Sequence, residues 1–583
     1  MPATVGRRRL AATVAMLLLL APLAVAAPQS RRPRETVARP FCDGDTVTAI
    51  DIRAHPPTSS DAASDARAAT ARALDIRHVI ARPGLIAAYL RLAVGDVCTE
   101  RDRQESERLL RAQPFIASAS VQAQRESPGH VRITVDVTDE FSPIAGLSIR
   151  RGTVASLLLG TQDLQGRGLA LEAHAERGFA YRNGVGGQAV QYGVLGWPVF
   201  VALDAQRLTV AGQILRLEVA EPYLTDLQSR AFHAGASLSS GYADLVRPDG
   251  DNVSLFVRHT AYDIGWVTRL RHLSGHGAVA LVGAALLGED VRTSPDLVFV
   301  SDTGLVAGPA NPFAFSSFAT TRVAAIGGLR ALRFVTVRGF DALTAEQDMG
   351  VGMQFDLLAG SSAFTPAHRK DVFFASDFYA GVGGPGSFVV LRAIAEARAV
   401  NKTHSWDGVV ASGRLAWYGN ASGESAHLAS VEMAVLQHLV FPAQLTFADA
   451  NGGLPGFGGS SSAGGQRLVA RVEERHLIHT FGAHADAAVG VFATAGKLWA
   501  GDVPYGQTSA LRTAVGVSLL GAYPGGGKRT YRIDLAIPLN PEHGGARFEL
   551  RLSAIDRTRL LWQEAGDVVR ARTDAVPVSL MKW

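Results

Sequence analysis

Residues 530–539 read TYRIDLAIPL. Tyr531, Ile533, Leu535, Ile537 and Leu539 alternate with Arg532, Asp534, Ala536 and Pro538, so a strand here has one apolar and one largely polar face. The same period returns where Phe548, Leu550, Leu552 and Ala554 are set against Arg547, Glu549, Arg551 and Ser553. Leu511–Leu519 repeats it, with Val515 and Val517 against Gly516 and Ser518. Further candidates lie at 168–176, 213–221, 229–240, 253–270, 322–337, 372–380, 387–399, 408–418 and 428–439. Segments of about ten residues with period two, divided by Gly, Pro and Asp turns, are the pattern of a transmembrane β-barrel. Lipid offers the backbone no hydrogen-bond partner, so a chain crossing it without helices must close its sheet. The competing reading is a soluble β-sandwich or propeller.

Composition fits that reading. The chain has 583 residues, 47% hydrophobic but only 19% charged, and no apolar run long enough for a helical span after the first 26. Lys+Arg number 57 against 53 Asp+Glu, a net charge of +4, which argues against nucleic acid as a partner. Residues 143–556 are the expected barrel; at about 25 residues per strand with its connection they predict an antiparallel barrel of about sixteen strands.

The amino terminus predicts export. Arg7, Arg8 and Arg9 precede the apolar run Leu10–Leu23, which ends in Ala24-Val25-Ala26. A basic start, a short apolar stretch and an A-x-A site read as a signal peptide over 1–26, followed by a linker over 27–40. Two cysteines exist, Cys42 and Cys98. Paired, they close a loop worth roughly 4 kcal/mol on the chain-entropy model; the alternative is two buried thiols. Both sit where elements of one small domain begin, which favours the bridge.

That domain spans 41–142. Thr46–Ala54 reads as a strand, residues 62–81 as partly helical, and Pro83-Gly84-Leu85-Ile86 as a second helical start. Thr99 and Asp102 approach a capping box before a charged helix with Leu109 and Leu110 inside. Ile116–Arg125 and Val131–Val137 follow as strands turned at Pro128-Gly129. The order is strand, helix, helix, strand, strand, with an exposed edge able to take an extended peptide. This order, with GDVCTERDRQESERLLRAQPFIASASVQAQ (residues 95–124) followed by VRITVDVTDE (131–140), resembles a POTRA domain.

A second resemblance lies in Asn451–Arg475, NGGLPGFGGSSSAGGQRLVARVEER. A Gly-rich loop holding Pro455-Gly456-Phe457 precedes a strand with Arg471, Glu473 and Arg475 on one face, and four more strands follow. The arrangement resembles the BamA/TamA family of outer-membrane barrels, in the bacterial surface antigen superfamily. In that family an inward-folded loop brings an Arg-Gly-Phe/Tyr motif to charges on a neighbouring strand. The resemblance implies that Gly456-Phe457 is the lumen loop and that Arg471, Glu473 and Arg475 are lumen charges. Pro455 stands where the family has Arg. A literal Arg338-Gly339-Phe340 is the alternative, but it lies 583 − 340 = 243 residues from the end, too far for about four remaining strands. Residues 557–583 form either a polar extension or, through Val576–Trp583, the closing strand.

Motifs for chemistry are absent. Gly381–Gly386 matches G-x-G-x-x-G but holds Pro385 between two strands, so it reads as a hairpin. His476, His479 and His484 lack metal-site spacing. No cofactor and no enzymatic activity are expected. The resemblance implies a protein acting in insertion, assembly or translocation of proteins at the bacterial outer membrane. Its partners would be outer-membrane lipids, and unfolded client proteins held by the POTRA-like domain in the periplasm. The alternatives are a passive channel and a secretion pore dedicated to one partner protein.

Overall fold

The computed structural model describes residues 42–57 and 78–572. Within the latter span it leaves out 151–152, 178–182, 209–211, 249–251, 271–276, 302–303, 314, 316, 364–369, 401–404, 421–423, 450, 481–484, 543–546 and 557–563. The expected signal peptide and linker, most of the helical stretch 62–81, and Val576–Trp583 lie outside the described residues.

The small domain runs β1 (Asp43–His55), α1 (Pro83–Ala87), β2 (Val97–Thr99), α2 (Glu100–Arg111), β3 (Ile116–Ser127), β4 (His130–Asp139). Its sheet has the order β2-β1-β4-β3, with β1 and β4 parallel and the outer pairs antiparallel. Alternate residues of β4, Val131, Ile133, Val135 and Val137, are buried against Leu109 and Leu110 of α2. The Thr99 hydroxyl oxygen accepts the Asp102 N–H at 3.1 Å and starts α2. Glu100 and Asp102 in the first turn and Arg108 and Arg111 in the last match the helix dipole. Arg103 holds the Glu100 carboxyl below its ordinary range by hydrogen bonding to it. Cys42 and Cys98 form a disulfide with Cα atoms 5.0 Å apart, joining the start of β1 to β2.

The wall begins with six short strands: β5 (Pro143–Arg150), β6 (Thr153–Thr161), β7 (Leu169–Arg177), β8 (Asn183–Gln191), β9 (Phe200–Leu208) and β10 (Gly212–Glu221). Longer ones follow: β11 (Arg230–Leu245), β12 (Val253–Arg269), β13 (Val279–Ser301) with the arm β14 (Gly304–Ala307) folded back on it, and β15 (Phe318–Val337). Then come β16 (Gln347–Ser362), β17 (Asp371–Gly384), β18 (Ser387–Val400), β19 (Ser405–Asn420) and β20 (Ser425–Gln437). The next loop, 438–465, holds the two-residue pair β21 (Leu445–Thr446) and β22 (Ala463–Gly464). The wall ends with β23 (Gln466–Thr480), β24 (Asp486–Trp499), β25 (Arg512–Ala522), β26 (Arg529–Pro538) and β27 (Glu549–Asp556), and α3 (Gly566–Ala571) follows. Leaving out β14, β21 and β22, each wall strand pairs antiparallel with its chain neighbours, and β27 closes on β5.

Two expectations need correction. The barrel has twenty strands, not about sixteen. β5–β10 fit six strands into 221 − 143 + 1 = 79 residues, about 13 each, because short turns join strands that only just span a hydrocarbon layer. The amino-terminal module is an α+β sheet but is not established as a POTRA domain. The expected order of two consecutive helices is interrupted by β2, and α1 is only five residues long.

Burial is inverted relative to a soluble sheet. On β26 the exposed side chains are apolar: Ile533 at 41%, Leu535 at 37%, Ile537 at 46%. Arg532 and Asp534 between them are 5% and 8% exposed. An apolar exterior around a charged interior, with the sheet closed, is a membrane-spanning barrel.

Candidate functional site: lumen and seam

Every charge singled out on β23 points inward. Glu473 accepts hydrogen bonds from Arg475 (2.6 Å), Arg471 (2.5 Å) and both terminal nitrogens of Arg532 (2.8 and 3.0 Å). Arg532 also reaches Asp534 at 2.7 Å, and Arg471 lies over the Phe492 ring at 4.7 Å. Three guanidiniums therefore surround two carboxylates. Arg532, Asp534 and Phe492 were not singled out from sequence, although Arg532 and Asp534 occupy the polar half of the alternation in 530–539.

Two Gly-Phe segments enter the lumen, from opposite ends. Pro455-Gly456-Phe457 lies in the loop between β20 and β23, at the end far from the small domain. Gly456 and Gly458 donate their N–H groups to Glu549 of β27 at 2.8 and 3.2 Å. Gly456 has φ +91°, a conformation costly for a side chain with Cβ. Phe457 is buried against Phe447, ring centroids 6.0 Å apart. Among the described residues, polar contacts from this tripeptide go to Glu549 rather than to Arg471, Glu473 or Arg475.

Arg338-Gly339-Phe340 lies in the turn between β15 and β16, at the small-domain end. Arg338 is exposed and pairs with Glu346 at 2.5 Å. Phe340 is buried and stacked on Tyr418 at 5.1 Å. The Phe340 and Asp341 carbonyls accept from Arg475 at 3.0 and 3.2 Å, and Asp341 accepts from the Tyr418 hydroxyl at 3.0 Å. This turn thus crosses the lumen mouth to β19 and β23, three and five places from β16 around the wall.

The small domain docks at the same mouth. Arg111 of α2 forks onto Asp348 at 2.9 and 2.8 Å. Arg108 donates to the Leu224 carbonyl at 2.6 Å and lies over the Phe334 ring at 4.0 Å. Arg82 N–H donates to Gly166 O at 2.9 Å beside Asp163, whose carboxylate accepts the Gly168 N–H at 2.8 Å. Burial pushes the Asp163 carboxyl up to about 6; the Gly168 N–H opposes this and the Asp139 charge adds to it. On β3, the Val121 N–H and carbonyl are engaged by Glu107 and Arg103 of α2, so part of the outer edge is already taken.

The seam is the thinnest pairing in the wall. Between β27 and β5 three described pairs register, Leu550 with Ile149, Arg551 with Ser148 and Leu552 with Leu147. β26 and β27 register eight. Toward the small domain the ladder stops, and Arg529 of β26 reaches past β27 to the Phe141 and Pro143 carbonyls at 2.9 and 3.1 Å.

No family model and no curated protein matches this chain. Among solved structures it is similar to BamA from Haemophilus ducreyi lacking POTRA domains 1–3, at 11% identity and TM-score 0.37, covering 88% of this chain and 85% of that one. It is also similar to CdiB from Escherichia coli (12%, 0.38, 91% and 94%) and CdiB from Acinetobacter baumannii (9%, 0.36, 88% and 74%). Scores at this level carry no conclusion about function.

Proposed function

We propose that this chain is an outer-membrane barrel of BamA/TamA type, acting in the insertion, assembly or translocation of other proteins. The observation that carries the reading is the β27–β5 seam. Three registered pairs leave backbone N–H and C=O groups on both edges available to an incoming strand, and hydrogen bonds are the strongest attraction lipid leaves available. The client would first meet the small domain, then add at the seam, with pairing and lipid burial as the driving force. The loop and turn that enter the lumen from its two ends speak against the passive channel. In this reading Gly456-Phe457 serves as the family's inward loop and anchors the seam strand through Glu549, while Arg471, Glu473 and Arg475, joined to Arg532 of β26, brace the wall beside the seam. The small domain lies in the periplasm.

Two experiments test this. Depletion of the protein lowers the amount of many folded outer-membrane barrels; if those barrels persist, the assembly reading fails, and loss of one secreted protein alone replaces it with a dedicated pore. A Leu147→Cys/Leu552→Cys pair at the registered seam position, oxidised, abolishes complementation and is rescued by reductant. Full activity with the bond formed refutes seam opening.

A further inference from the structure

The chain re-enters its own barrel after the last strand. α3 packs inside against β19, β20 and β21. Ala565, Val568 and Ala571 share one buried cluster with Leu436, Leu445, Phe447 and Phe457. A helix of six residues does not hold itself together in water, so its conformation is imposed by what surrounds it.

The surroundings are specific. Arg467 of β23, 1% exposed, forks onto the Asp567 carboxylate, with Nη2 3.1 Å from Oδ1 and Nη1 on Oδ2. The same carboxylate accepts the Thr446 N–H at 3.0 Å, and Arg467 donates to the Thr446 carbonyl at 2.6 Å. Asp449, in the inward loop, accepts the N–H groups of Gly566 and Asp567 at 3.1 and 2.9 Å, and those of Asn451 and Gly452 at 3.0 and 2.8 Å. Gly452 leaves just enough room: a Cβ there would sit 2.1 Å from Arg467 Nη2 and 2.4 Å from Ala565 Cβ.

We infer that Arg467, Thr446, Asp449 and Gly452 form a lumen receptor for a short segment that presents an aspartate among small apolar residues, with residues 564–572 as its tethered, exchangeable occupant. The receptor is built by the wall and by loop 438–465, and among the described residues the tail takes part in no strand pairing. If the tail leaves, Arg467 loses Asp567, and among the described residues Glu432, at 3.8 Å, is the ion-pair partner left to it in the wall. A segment without a carboxylate at the position of Asp567 therefore competes poorly. Exchange by a client rests on the protein-handling role proposed above; the tail's occupancy of the site does not.

The test uses the full chain in detergent, with the wholly buried Val568→Cys as reporter and maleimide labelling as readout. Labelling is slow in this variant, and adding Asp567→Asn speeds it by more than roughly tenfold, because unpairing a buried charge is expensive. A peptide EAGDVVRAR, the sequence of residues 564–572, speeds labelling in trans, whereas its Asp-to-Asn counterpart at equal concentration does not. Equal labelling with and without Asp567→Asn overturns the proposal, as does equal action of the two peptides. Heat-modifiable gel mobility verifies the barrel, and if Asp567→Asn does not fold, the peptide arm on Val568→Cys alone decides. Failure here leaves the depletion experiment intact, so the two readings fail separately.

Discussion

Replacing Glu473 by Gln tests whether the lumen charges form one interdependent cluster. At about 2.8 Å and an effective dielectric of about 20, each Glu473–guanidinium contact is worth roughly 6 kcal/mol of attraction before desolvation. Three guanidiniums share that carboxylate, and Asp534 lies beside only one of them at ion-pair distance. Without the charge, Arg471, Arg475 and Arg532 repel one another across a buried site. The net loss expected for breaking such a cluster is about 3–5 kcal/mol. Glu474, next in sequence but facing outward, is the control: its change to Gln breaks no interior ion pair and removes a charge from the outer face, so no loss is expected. Urea unfolding of both variants in the same detergent, followed by heat-modifiable mobility and intrinsic fluorescence, measures the difference. If Glu473→Gln and Glu474→Gln unfold at the same urea concentration, the interior is wet enough to screen these charges and the reasoning fails.

Other consequences are equally direct. Arg111→Met removes the fork onto Asp348 and leaves that carboxylate at the docking face; we expect a loss of about 2–4 kcal/mol in docking, read as faster amide exchange in α2 with barrel exchange unchanged. For Asp163, a folded-state pKa of about 6 lies above the unfolded value near 3.9, so the native chain holds the proton more tightly. Stability then falls as pH rises from about 4 to about 6 and is level above that. Asp163→Asn keeps an acceptor for Gly168 and removes the charge, so it is more stable than the parent at pH 7 by roughly 2 kcal/mol and about equal to it at pH 4. A parent-to-variant difference in urea midpoint that is the same at both pH values counts against this.

Sequence exposed the membrane wall where the two faces differ in polarity. β26 and β27 alternate cleanly because charges line the interior beside them. β13 does not: Val279, Leu281, Ala285 and Leu287 face an apolar interior cluster, so both faces are apolar and no period shows. The strand count failed at β5–β10, where average connection length is a poor guide to tight hairpins. Thr99 capping α2 was readable because a cap is a local device. The reach of Phe340 to Tyr418 was not, since a turn with apolar residues looks like any loop until the opposite wall is in place. The lodging of 564–572 was hidden likewise: a polar tail gives no sign that Asp567 meets an arginine 100 residues upstream.

The meander has a consequence for how the chain is made. Every wall pairing except one joins strands adjacent along the chain, so each hairpin forms as soon as its two arms exist, at small entropic cost. Leu147 and Leu552 are 552 − 147 = 405 residues apart, and their meeting waits for the whole polypeptide. A molecule truncated or stalled before residue 549 retains two raw sheet borders, and its fate turns on whether another chain covers them first.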